Sequence, residues 1–142
     1  MNTDKGQEES WGELKYDEVM NAVERGDESA KTKLAWLKLS GVGGCEVDED
    51  GSAELLEERV KEGDGEAMWM LGVCNEYGRG TDQDIARAEL LYKQSSERGN
   101  KIGELFETQK EIERNLHLSM FAPFARKKEF ERGNGKMKMK RL

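Results

Sequence analysis

The chain has 142 residues, of which 35% are apolar and 37% are charged, and its net charge is −7. A chain of this length can bury a core without disulfide or metal support, but so low an apolar fraction argues against one thick spherical core and favours a stack with much exposed surface. One proline and sixteen glycines indicate helices joined at glycine.

The sequence shows no sign of export or of membrane insertion. Its longest apolar run falls well short of the roughly 18 residues that cross a bilayer. The first residues, from Met1 to Lys5, are polar and unlike a secretory signal, and Cys45 and Cys74 are too few for a disulfide framework. We therefore expect a reduced, intracellular protein that is cytoplasmic or nuclear.

The charge is unevenly spread along the chain. Residues 121–142 contain eight Lys or Arg and two Glu, a charge of +6, which leaves −13 on residues 1–120. An acidic body of this kind repels nucleic acid and acidic membranes, whereas a basic tail can bind either one. The two parts of the chain therefore predict different partners.

In chain order, a polar N-terminal segment (residues 1–13) precedes a first helix that ends at Gly26. The next helix ends in a loop at Gly41–Gly44, and the one after it ends at Gly63. Apolar residues at helical spacing outline these three helices: Leu14, Val19, Met20, Ala22 and Val23; Ala30, Leu34 and Leu37; Ala53, Leu55, Leu56 and Val60.

A second helix pair repeats the first at a fixed distance. A shift of 37 residues superimposes Gly26, Ala30, Leu34 and Gly41 on Gly63, Ala67, Leu71 and Gly78, and a shift of 36 superimposes Asp48, Leu55 and Gly63 on Asp84, Leu91 and Gly99. In the second pair we expect inward-facing Ala67, Met68, Leu71, Cys74, Ile85, Ala88, Leu91, Tyr92 and Ser95. Asp82 or Asp84 is expected to cap the later helix, and Gly99 to end it in the left-handed conformation.

The second pair resembles the Sel-one-like repeat (SLR) family. The matching residues are Ala67-Met68-Trp69-Met70-Leu71-Gly72, Gly78-Arg79-Gly80-Thr81, Asp84, Ala88, Leu91-Tyr92 and Ser95-Ser96-Glu97-Arg98-Gly99. The first pair is a divergent copy, with Ala35 in place of a glycine and Leu55-Leu56 in place of the aromatic pair. After Gly99 the pattern departs again, since Glu107 stands where a buried leucine belongs, and this favours a capping helix.

The resemblance implies an all-α fold: a short α/α superhelical repeat, or solenoid, of about two helix-pair repeats with flanking capping helices. The repeat domain is expected at residues 14–120, with repeats at 27–63 and 64–99 and a capping helix at 100–119. The resemblance also implies a protein-binding adaptor or scaffold, a subunit of a complex, with no catalytic residue and no cofactor. Partners of such stacks bind along the groove lined by the first helix of each repeat.

The candidate partner-binding residues lie on these first helices: Lys33, Trp36, Lys38, Trp69, Met70 and Val73. An exposed tryptophan in such a groove is a good binding anchor. Packing between helices explains the same tryptophans more simply, and we expect it for at least one of them.

The basic tail supports an alternative function, the binding of nucleic acid or of another acidic surface. Its candidate residues are Arg126, Lys127, Lys128, Arg132, Lys136, Lys138, Lys140 and Arg141. Two other interpretations stay open: a solubilising tail, or a segment from Phe121 to Phe130 that packs back on the last repeat.

A calcium loop is the remaining alternative. The stretch from Glu46 to Glu57 nearly matches the helix–loop–helix calcium signature, with Gly51 at loop position six. Position one is Glu46 rather than aspartate, and the glycine-rich run before it cannot form the entering helix. We favour a loop followed by an acidic helix start. The single histidine, His117, and the separated cysteines indicate no metal site, and no motif assembles a nucleophile with a base, so we expect no enzyme.

Overall fold

The computed structural model describes residues 11–118, which are helical with short connections and contain no strand. Six α-helices follow one another: α1 (Tyr16–Glu24), α2 (Glu28–Ser40), α3 (Glu49–Lys61), α4 (Gly65–Tyr77), α5 (Ile85–Glu97) and α6 (residues 101–118). Short 3-10 turns lie at Trp11–Glu13 and Val42–Gly44. Of the described residues, 11–107 form one compact unit and 108–118 belong to a second. The all-α repeat fold expected from the sequence is confirmed.

The helices pair as α2 with α3 and α4 with α5; we call α2, α4 and α6 first helices, and α3 and α5 second helices. Aspartates begin both second helices in the same way. Asp48 accepts a hydrogen bond from the Gly51 amide at 2.9 Å, and Asp84 accepts one from the Arg87 amide at 3.0 Å. These carboxylates satisfy amides that have no partner within their own helix. Asp84, not Asp82, is therefore the cap of α5.

Glycines end the helices where the repeat spacing predicts them. Gly26, Gly63 and Gly99 have φ angles of 89°, 86° and 80°. A side chain at such positive φ angles meets the backbone, so glycine is strongly favoured there. The expected left-handed ends of the helices are confirmed.

The core of the first unit follows the predicted apolar faces with one exception. Its fully buried residues include Ala35, Leu37, Leu56, Ala67, Met70, Leu71, Cys74, Ala88 and Tyr92. Burial of Cys74 raises its thiol pKa to about 11. The prediction of an inward Ile85 is wrong, because this residue opens α5 and is 47% exposed.

Substitutions at three corresponding positions explain why the first repeat departs from the family pattern. In the second repeat, Tyr92 lies against Gly72, and its hydroxyl donates to the buried Glu76 carboxylate at 2.7 Å. The corresponding residues of the first repeat are Leu56, Ala35 and Leu39, all buried in one cluster. A leucine is shorter than a tyrosine, which leaves room for the alanine methyl group and removes the need for a polar partner.

Candidate functional site

The two tryptophans predicted as anchors both take part in packing. Trp36 meets Trp11 edge to face, with ring centroids 6.3 Å apart, and its indole N–H donates to the Trp11 carbonyl at 3.3 Å. It remains half-buried. Trp36 therefore holds the chain before α1 against α2, and only part of its ring is available to a partner.

Trp69 belongs to an aromatic stack that the sequence did not predict. Phe106 on α6 lies between Tyr92 and Trp69, with centroid distances of 4.8 Å and 5.6 Å. The Trp69 indole N–H donates to Glu66 at 3.0 Å, and Asn100 donates to the other oxygen of the same carboxylate at 2.9 Å. The stack joins the second repeat to the start of α6. The only hint in the sequence is that Phe106 is aromatic and lies within the predicted capping helix at residues 100–119.

The remaining predicted residues do not form one cluster. Met70 is fully buried in the core, so the expectation that it lines an open groove is wrong. Lys33 lines a cleft of about 170 Å³ together with Leu14 and Val19. Lys38 instead lines a polar cleft of about 500 Å³ beside Cys45, where its ammonium group lies 3.5 Å from Asp48. The two lysines thus line separate clefts.

An open surface nevertheless runs across the first helices of the first unit. On α4, the residues Trp69, Val73 and Tyr77 follow one another at four-residue spacing, which places them on one side of the helix. Trp69 and Val73 are half-buried, and Tyr77 is 64% exposed. In repeat register, Trp36 on α2 corresponds to Val73, and Leu105 on α6, which is 68% exposed, corresponds to Trp69. We call these five residues the first-helix face.

Tyr77 and Leu105 are the members of this face that the sequence prediction missed. The repeat register could have identified Leu105, which it places at the position of Trp69, and the four-residue spacing from Val73 could have identified Tyr77. What sequence could not supply was the exposure of each side chain. Single exposed apolar residues are ordinary, so what points to an interaction surface is their succession along one side of the first helices.

The Glu46–Glu57 stretch is arranged unlike a calcium loop. Its second half lies within α3, where successive carboxylates cannot converge on an ion. Asp48 caps that helix, and Glu57 pairs with both terminal nitrogens of Arg87 at 2.5 and 2.8 Å. Within residues 11–118, no group of three or more His, Cys, Asp or Glu side chains could hold a metal ion.

Two groups with the potential for chemistry are held in their neutral forms. Burial raises the Cys74 pKa to about 11 and raises the pKa of Tyr92 well above its usual range, with the Glu76 carboxylate adding to the effect on the tyrosine. Neither group is therefore poised as a nucleophile at neutral pH.

The surface of the first unit is strongly acidic. Residues 11–107 contain 12 Lys and Arg against 23 Asp and Glu, a net charge of −11. This field attracts basic partners and repels nucleic acid. The candidate tail residues Arg126, Lys127, Lys128, Arg132, Lys136, Lys138, Lys140 and Arg141 lie outside the described residues. Across the described chain, no helix has the length and apolar character needed to span a bilayer.

Comparisons with known proteins agree with this architecture. A family model for the Sel1 repeat matches residues 65–100, which contain α4 and α5. The solved structure of a Sel1 repeat protein from Oxalobacter formigenes is similar at 28% identity with a TM-score of 0.55, and the match covers 62% of this chain and 36% of that one. A protective antigen of uropathogenic Escherichia coli with an SLR fold is similar at 26% identity with a TM-score of 0.54, covering 63% of this chain and 19% of that one.

The chain thus spans about a third and a fifth of the lengths of these two proteins. A search of curated proteins found no match. The matched residues coincide with the helix pair whose motif spacing and packing are described above, and the expected family is confirmed. The chain carries a Sel1 repeat at residues 65–100, and its helices resemble those of solved Sel1 repeat proteins.

Proposed function

We propose that this protein is an adaptor that holds a segment of another protein on its first-helix face. Sel1 repeat proteins generally mediate protein–protein interactions. The single observation that carries the proposal for this chain is the run of half-buried and exposed apolar residues across α2, α4 and α6, among them Tyr77 and Leu105. The repeats would act as a rigid support for that surface and would contribute no catalytic group.

The charge of the first unit favours one kind of partner. A net charge of −11 on residues 11–107 speeds the approach of a basic segment and disfavours acidic ones. We therefore propose a partner segment that combines apolar anchors with nearby Lys or Arg. Its binding should weaken as salt is raised, but it should not vanish, because the apolar contacts are not screened.

Affinity capture of the tagged full-length protein from its native cells, followed by mass spectrometry, would identify the candidate partner. The purified partner is then titrated against two variants of the face, Tyr77→Asp and Leu105→Asp. The matched control is Leu90→Asp, which introduces the same charge at a residue of α5 that is 53% exposed and lies outside the face. These exposed positions are preferable to the tryptophans, whose replacement would also disturb packing.

We expect each face variant to weaken binding by about tenfold or more, since buried apolar contacts at the centre of an interface carry most of its energy. The control should bind like the wild type. Equal effects of all three substitutions would show that the face is not the site, and unchanged binding in all three would reject the proposal.

An intracellular location stays a prediction. The two cysteines are free thiols, Cys74 being buried and Cys45 half-buried, which supports a reducing compartment. Fractionation of native cells would test it.

A further inference from the structure

A stripe of exposed side chains runs along α6. It consists of Ile102, Leu105, Gln109, Ile112 and Leu116, which are separated by three, four, three and four residues and so lie on one side of the helix. The four apolar members are 41%, 68%, 52% and 54% exposed, and Gln109 is exposed as well. We call these five residues the α6 seam. Alternating steps of three and four residues are the spacing of the contact positions in a coiled coil.

The remaining surface of this part of α6 is almost entirely polar. Residues 108–118 contain three apolar side chains, of which Ile112 and Leu116 belong to the α6 seam. The third, Leu118, is 62% exposed and follows Leu116 by two residues, which places it on the opposite side of the helix. The seam is therefore a narrow apolar line on a polar helix, and that is the surface a single second helix can cover.

Contacts away from the α6 seam already hold this segment as a helix. At its start, Asn100 accepts a hydrogen bond from the Gly103 amide at 2.9 Å, and Phe106 lies in the aromatic stack described above. Further along, Gln109 donates to the Glu113 carboxylate one turn later at 3.0 Å. Because the cost of forming the helix is met within the monomer, even a seam of about two heptads can contribute to binding.

Charge favours a second copy of this chain as the occupant of the α6 seam. Residues 108–118 contain Lys110 and Arg114 against Glu111 and Glu113, a net charge of zero, whereas residues 11–107 carry −11. Two copies that met through the acidic first unit would bring like charges together, but two copies that meet through residues 108–118 would not. The same seam on both helices is also self-complementary, as a two-fold interface requires.

We propose that this protein forms a homodimer in which the α6 seams of two copies pack against each other as a short two-stranded coiled coil. Ile112 and Leu116 supply apolar burial, and Gln109, the one polar member, specifies the register at some cost in affinity. A contact of about two heptads is smaller than the ~1,200–2,000 Å² of a stable interface, so we expect a dissociation constant on the order of 10–100 μM. This inference goes beyond the proposed function, and Ile112 and Leu116 lie outside the first-helix face.

Sedimentation equilibrium of the purified full-length protein, at roughly 1–500 μM, tests the proposal. The wild type should show a monomer–dimer equilibrium, and Ile112→Asp and Leu116→Asp should each weaken it by about tenfold or more. The matched control is Leu118→Asp, which adds the same charge to an exposed leucine on the other side of the helix and should dimerise like the wild type.

A variant with the opposite effect guards against simple unfolding of α6 by the aspartates. Gln109→Leu should tighten the dimer several-fold, because it removes the one polar residue from the α6 seam. Far-UV circular dichroism of each variant shows whether its helices are intact.

Several outcomes would overturn the proposal. A wild type that stays monomeric over the whole range would reject it, and so would a trimer. A dimer that Leu118→Asp weakens as much as Ile112→Asp, or that Gln109→Leu fails to tighten, would place the contact elsewhere. None of these readings involves a partner protein, and Tyr77→Asp, which tests the adaptor proposal, should leave the dimer unchanged, so the two proposals can fail separately.

Discussion

Gly72 offers the sharpest test of how the second repeat is packed. A methyl group at this position would lie 2.5 Å from Cε1 and 2.8 Å from Cδ1 of the Tyr92 ring. The ring cannot easily move aside, because Phe106 stacks on it at 4.8 Å and its hydroxyl donates to Glu76 at 2.7 Å. Gly72→Ala should therefore strain the core, although alanine is a better helix former than glycine.

The two effects can be weighed against each other. Overpacking a core costs about 1–3 kcal/mol, and alanine gains about 1 kcal/mol over glycine within a helix. Because the stacking and the hydrogen bond both fix the Tyr92 ring, we expect an overpacking cost in the upper part of this range. After subtraction of the gain in helix propensity, the free energy of unfolding should fall by about 1–2 kcal/mol. Urea unfolding followed by far-UV circular dichroism measures it.

The first repeat supplies the control. The double variant Glu76→Leu/Tyr92→Leu gives the second repeat the residues found at Leu39 and Leu56. In that background Gly72→Ala should reverse its sign and stabilise the protein by up to about 1 kcal/mol, because only the helix propensity remains. A substitution that stabilises, or destabilises, equally in both backgrounds would refute the steric account.

Three further predictions concern single residues. Asp64→Ala should lower the free energy of unfolding by about 1–2 kcal/mol in urea titrations, because this half-buried carboxylate caps α4 through the Glu66 and Ala67 amides; an unchanged midpoint would contradict the capping role. Arg87 holds the pKa of Glu57 below its usual range, so this ion pair stabilises the fold at pH values above the pKa of Glu57 in the unfolded chain, and the stabilisation is lost as pH falls through the pKa in the folded protein. The difference in Tm between the wild type and Glu57→Gln, small at neutral pH, should therefore shrink toward pH ~3. A difference that stays constant or grows would contradict this prediction. Iodoacetamide should label the half-buried Cys45 of the native protein well before the buried Cys74, whose pKa is raised to about 11; prompt labelling of a Cys45→Ser variant would disprove this.

Much of this fold follows from local interactions that the sequence displays. A glycine with positive φ and a capping aspartate act within a few residues of their own positions. Spacing alone therefore placed Gly63 and Gly99 and narrowed the cap of α5 to Asp82 or Asp84, of which the structure shows Asp84. The repeat distance then made the helix pairs and the family resemblance predictable, because neighbouring pairs must bury the same faces.

Side-chain exposure depended instead on contacts between residues far apart in the chain. Met70 and Trp69 are adjacent in sequence, yet the core encloses the first while Phe106, 37 residues further on, covers part of the second. No local pattern distinguishes a tryptophan that packs from one that binds, and none places Lys33 and Lys38 in different clefts. The sequence by itself therefore determined the helices, their ends and their repeat, whereas only the tertiary structure decided which apolar residues stay open to a partner, because exposure is set by what every other helix covers.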